Sequence, residues 1–411
     1  MADIPPNKEE DPEQPDDVPQ DNVEVIEINQ DEAQEYMIEG ENDEYEDVSD
    51  NEYEEEDKNA TIEPRDPNNT GALIGHKDFI TAVCCSTTNP DLIATGSGDE
   101  TCKIWSLTDH KEANTLIGHK DSVISCKFSF DGSRFCTASM DNTLKIWNSK
   151  NSFELLSTLE GPQDEIHFIE WHHKGNVVLC GSEDGSMWMF DGSKGEYMNT
   201  FTGHHGSISA GGFTTDGKLI YSAGIDGTIR IWKPKKPGGE PEILKSGTKD
   251  KEFGGYTCGC CHPTKDLIFA GTEKGVVVVG LYKSKQIGTS MKMSENDCYI
   301  ETIATSSKCE NYAACGTTEG VFSIVDISIP KVRNKTELKH AVVKAMFSKL
   351  DETVFVATAD GKILRIDPRS GATVQELLGP ACAVLDFDVT SNENWLVAGF
   401  DDGTCLSYKL K

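Results

Sequence analysis

The chain of 411 residues carries six Trp, 16 Phe, ten Tyr and 37 Gly, enough apolar and turn-forming material for a large packed body, and a formal charge of −32. So large an excess of carboxylates disfavours nucleic acid as a partner, because phosphates need Lys and Arg. The acidic opening MADIPPNKEEDPEQPDD fits neither a secretory signal nor an Arg-rich transit peptide, and the longest apolar run, Gly275 to Leu281, is too short to span a bilayer. The expectation is a soluble intracellular protein without direct membrane contact, cytoplasmic and open to the nucleus.

From Met1 to Asp66 there are 27 Asp and Glu against Lys8, Lys58 and Arg65, a net of −24, so the other 345 residues carry −8. Stretches such as ENDEYEDVSDNEYEEED lack the apolar content that would offset the entropy of ordering, which predicts a disordered acidic tail over residues 1–66. A flexible polyanion suits a basic protein partner.

Beyond the tail the chain repeats itself. Gly followed by His or Pro falls at Gly75, Gly118, Gly161 and Gly203, at steps of 43, 43 and 42, and again at Gly379, 176 residues on. A turn residue keeps the same phase at Asp99, Asp141, Asp184, Asp226, Lys274, Glu319, Asp360 and Asp402, so both series imply eight units. Inside the second unit, SVISCKF, RFCTAS, TLKIW and ELLSTL are β-rich runs separated by turn chemistry, four strands to a unit. A period in the low forties with four strands predicts an all-β, eight-bladed propeller over residues 67–411. After Asp402 only nine residues remain, one strand short of a blade, and the run NNTGALIGH resembles EANTLIGH at the end of the first unit. Asn69 to Ile74 are therefore expected to supply the missing strand and remove two exposed sheet edges.

The segments GHKDFITAV with ATGSGDETCKIW, GHKDSVISC with TASMDNTLKIW, and GHHGSISAG with SAGIDGTIRIW resemble the WD-repeat family. The resemblance implies a hydrogen-bonded scaffold in each full-motif blade: His76, Thr95, Asp99 and Trp105; His119, Thr137, Asp141 and Trp147; His204, Ser222, Asp226 and Trp232. Recurrence in three blades favours structure over a single active site, and Pro162 and Phe190 interrupt the set in the third unit. No catalytic residue, cofactor or metal is expected. The 14 Cys are scattered, and in CGCCH, Cys258 to His262, successive strand residues point to opposite faces and cannot converge on one ion.

The residues preceding each turn, among them Glu183, Glu273 and Asp401, and first-strand positions Glu170, Glu301, Asp386 and Asp388 suggest an acidic propeller face, diluted by Lys344. The segments LEGPQDEIHFIEWHHKGNVVLCGSEDGSMWMF and DPRSGATVQELLGPACAVLDFDV are similar to the angio-associated migratory cell protein family and its fungal relative, the WD-repeat ribosome-assembly chaperone. That resemblance implies a monomeric, non-enzymatic protein that holds a basic segment of a large-subunit ribosomal protein on acidic positions including Glu170, Glu301 and Asp386. The alternative is a cytoplasmic signalling or migration scaffold.

Overall fold

The computed structural model describes residues 69–236, 238–246 and 253–410, so the expected tail lies outside the described residues. The described chain forms eight blades, each an antiparallel meander of four strands, consecutive in sequence except at the seam, and the fifth blade gains one further strand at its outer edge. Their innermost strands are Ile80–Cys85, Val123–Phe128, Ile166–Trp171, Ile208–Phe213, Tyr256–Cys261, Ile300–Thr305, Val342–Phe347 and Val384–Val389. Each packs against the next, and the eighth against the first, which closes a ring around a central channel.

The last blade is completed from the other end of the described chain. Asn69–Ala72 pairs antiparallel with Cys405–Lys409, with Gly71 opposite Ser407 and Ala72 opposite Leu406, and the Leu73 N–H extends the ladder to the Cys405 carbonyl at 2.8 Å. Leu73 is 1% exposed and shares a core with Ile80, Val83, Ile93, Trp105, Val397 and Cys405, so the seam is sealed by packing as well as by hydrogen bonds. Gly71 leaves room for the His110 ring, which would lie 2.2 Å from a Cβ there.

The cores lie between the faces of neighbouring blades, as in the cluster that joins Ala82, Ala94 and Ile104 of blade one to Val123, Phe128, Phe135 and Trp147 of blade two. Blades five to seven, where the sequence markers fade, are complete. Blade five carries Gly280 at the phase where blade one has Trp105, and Leu244 fills the space, 2.4 Å from where a Gly280 Cβ would stand. Leu244 comes from the connection between the two-residue outer strand of blade four, Glu242–Ile243, and Lys245–Ser246, which adds a fifth, parallel strand beside Gln286–Lys292.

The propeller mouth and channel as candidate functional site

In the full-motif blades the polar relay is closed. The Trp105 indole N–H donates to Thr95 Oγ1 at 2.7 Å, Thr95 Oγ1 lies 2.8 Å from His76 Nε2, and His76 Nδ1 lies 2.9 Å from Asp99 Oδ2. His119 with Thr137, Asp141 and Trp147, and His204 with Ser222, Asp226 and Trp232, repeat it at 2.7–3.0 Å. A neutral imidazole with its proton on Nδ1 satisfies every partner. Burial holds His119 and His204 below the usual histidine value, although their aspartates pull the other way. Burial pushes Asp226 up, but hydrogen bonds from Thr228, the His205 N–H and His204 outweigh it and hold the carboxyl at about 2. This relay is internal: Trp105, Trp147 and Trp232 are at most 4% exposed.

The mouth is built by a bond that recurs in all eight blades. The N–H of the residue before each turn donates to the carbonyl of the residue before the innermost strand: Gly98 to Phe79, Met140 to Ser122, Glu183 to Glu165, Ile225 to Ser207, Glu273 to Gly255, Thr318 to Tyr299, Ala359 to Ala341 and Asp401 to Ala383, at 2.9–3.1 Å. These bonds bring Glu183, Glu273 and Asp401, all exposed, to one end of the channel. Glu273 Oε1 also accepts the Gly255 N–H at 3.1 Å. The sequence reading missed Asp78, Asp121 and Asp164, exposed on the same end and each capping the next backbone N–H at 2.7–2.9 Å. Their signal was the aspartate that recurs two residues after the His or Pro of the opening motif.

Every innermost strand has a bulge between its first and third residues. The second residue is therefore unpaired, and the side chains beyond it change phase. Glu301 is such a second residue, whereas Asp386 is a third and Glu170 a fifth. The three carboxylates, grouped in the sequence as equivalent, occupy three levels of the channel.

Their partners differ accordingly. Asp386 Oδ2 accepts the Val83 N–H of blade one at 2.7 Å, and Oδ1 accepts Lys344 Nζ of blade seven at 2.5 Å. Asp388, whose carboxyl burial pushes up, accepts the Cys85 N–H at 2.8 Å, and Thr302 Oγ1 accepts the Ala345 N–H at 3.0 Å. Third- and fifth-position side chains thus satisfy N–H groups on the channel edge of the next blade, groups that would otherwise form an open sheet edge. Glu170 accepts Lys127 Nζ of blade two at 2.5 Å. Glu301 stands apart: it is exposed at the bulge, has no ion-pair or hydrogen-bond partner among the described residues, and burial by its surroundings pushes its carboxyl up. Lys344, expected to dilute the acidic face, is tied to Asp386 and to the Phe387 carbonyl at 2.8 Å.

His172, and His262 at the end of CGCCH, bond to nearby loop backbone. His172 Nε2 lies 3.2 Å from the Gly217 carbonyl. His262 Nδ1 accepts the N–H groups of Thr264 and Lys265, and its Nε2 lies 3.2 Å from the Glu310 carbonyl. Among the described residues no group of His, Cys, Asp and Glu is arranged to hold a metal ion.

The model of the WD domain, G-beta repeat, matches residues 67–106, 110–148, 153–191 and 195–233. Residues 67–233 thus carry four WD40 repeats. The chain is 27% identical over 352 residues to the angio-associated migratory cell protein of Homo sapiens, covering 82% of this chain and 79% of that one. It is 26% identical over 412 residues to the ribosome assembly protein SQT1 of Saccharomyces cerevisiae, covering 91% and 93%. The crystal structure of that yeast protein superposes with a TM-score of 0.75 at 24% identity, over 84% of this chain and 99% of the yeast chain. The Chaetomium thermophilum Sqt1, solved bound to the N-terminus of the ribosomal protein L10, superposes with a TM-score of 0.74 at 20% identity, over 84% of this chain and 100% of that chain.

Proposed function

We propose that this propeller is a non-enzymatic chaperone that captures the basic N-terminal segment of a large-subunit ribosomal protein at its carboxylate mouth. The observation that carries the reading is Glu301, a carboxylate at the channel entrance without a cation among the described residues, while Glu170 and Asp386 deeper in the channel already have theirs. A partly desolvated carboxylate gains most from an incoming Arg or Lys, because the charge-assisted bond replaces weak solvation. Glu183, Glu273 and Asp401 extend the negative surface around the same opening. The names of the fungal relatives, one a ribosome assembly protein and one bound to the N-terminus of L10, supply the class of client. A newly made client of this kind is met in the cytoplasm.

The test is calorimetry with a synthetic N-terminal peptide of an L10-class ribosomal protein and the full chain. Glu301→Lys combined with Glu273→Lys is expected to weaken binding by more than about a hundredfold, with circular dichroism unchanged. Equal binding by parent and variant would overturn the reading.

A further inference from the structure

The mouth is not only acidic. In blades two to five the residues before the turn alternate apolar and acidic: Met140 is 38% exposed, Glu183 exposed, Ile225 53% exposed and Glu273 exposed. The alternation is locked in the backbone. The Ile225 carbonyl would stand 2.8 Å from a Cβ on Gly255, whose own N–H holds Glu273 Oε1, so the isoleucine and the glutamate are immediate neighbours. In blade six the pair recurs in another form, with Tyr299 52% exposed two residues before Glu301. Large apolar side chains held this open beside carboxylates mark a binding surface rather than a solvated rim.

Resting on the proposed capture of a basic segment, we infer that Met140, Ile225 and Tyr299 form an apolar register within the mouth that selects segments carrying bulky apolar side chains between their cations over purely basic ones. The carboxylates attract any cationic chain, and attraction of that kind steers without discriminating. Discrimination needs contacts that close only when an apolar side chain is present, and Tyr299 adds an apolar ring face to the side chains of Met140 and Ile225.

The experiment uses the full chain and two labelled peptides of equal length and charge, one with leucine and one with serine between its arginines, read by fluorescence anisotropy. The parent is expected to bind the leucine peptide about tenfold tighter, since burying even a few methylenes gives that ratio. Met140→Ser, Ile225→Ser and Tyr299→Ser together should bring the two affinities together and leave the serine peptide unaffected, while Glu301→Gln should weaken both. Equal affinities in the parent, or a preference retained in the triple variant, would overturn the apolar register and leave the acidic capture standing. Failure of the parent to bind either peptide would overturn both.

Discussion

Asp386 Oδ2 accepts the backbone N–H of Val83 at 2.7 Å, joining the innermost strand of the last blade to that of the first across 303 positions of sequence. The same carboxylate neutralises Lys344, so one side chain bridges three blades at the seam of the ring. Asp386→Ala leaves the Val83 N–H and the Lys344 ammonium without this partner, and is expected to destabilise the fold by about 1–3 kcal/mol. Adding Lys344→Met should recover part of the loss. Urea denaturation of the two variants measures it, and an unchanged midpoint for Asp386→Ala would show that the seam does not depend on this bridge.

Glu301 gives binding a pH dependence. Its carboxyl is pushed up in the free protein by burial, and only the ionised form pairs with a cation. Affinity for a basic segment is therefore full above that raised value and falls as pH drops through it. Calorimetric affinities should decline in the parent as the pH is lowered from neutrality toward the ordinary glutamate range, and follow a flatter course in Glu301→Gln. Identical slopes would remove Glu301 from the contact.

Stability should fall on acidification in two stages. His119 and His204 sit below their ordinary value of 6.5, so the folded state resists a proton that the unfolded chain takes up; their contribution is intact above about 6.5 and erodes below it. Asp226 sits near 2 against an ordinary 3.8, so its contribution is intact above 3.8 and lost as pH falls toward 2. Denaturation midpoints across this range should be flat near neutrality, then drop in the two windows, and His204→Gln should shallow the first.

Trp232, 2% exposed, both fills the core between blades and donates to Ser222. Trp232→Ala should cost about 3–5 kcal/mol, and Trp232→Phe about 1–2 kcal/mol, chiefly through the lost indole hydrogen bond. A cost below about 1 kcal/mol for the alanine variant, read by thermal melting, would contradict its burial.

Removing residues 1–62 should leave the melting temperature nearly unchanged, whereas removal through Ile74 takes away the strand beside Cys405–Lys409 together with Leu73. The longer truncation is expected to lose about 3–5 kcal/mol, as two edges open and a core is uncovered. Equal melting temperatures would contradict closure by this strand.

The net −24 of residues 1–66 should act on association rather than on the bound state. Stopped-flow mixing with a basic peptide should show slower association at low salt once these residues are removed, with dissociation unchanged. The same association rate in both proteins would exclude a steering role.

The repeat period, the eight blades and the strand that closes the ring were legible in the sequence, because a turn residue after the second strand must recur at one phase. The His, Thr or Ser, Asp and Trp relay was what the resemblance to WD-repeat blades implied, and the side-chain bonds of the three full-motif blades bear it out. The partners of the channel carboxylates were not legible. Lys127 with Glu170, and Lys344 with Asp386, are pairs between neighbouring blades, 43 and 42 residues apart, and simple strand alternation does not reveal them. The bulge between the first and third residues of every innermost strand shifts the phase beyond it, so that Glu301 stays at the mouth while Asp386, one place further along its strand, turns to the next blade's backbone. Sequence determined which blades exist and the four-strand plan they share; the ring of contacts between blades decided which innermost-strand carboxylates have partners within the fold and left Glu301 without one among the described residues, because that depends on how the channel edges of separate sheets meet.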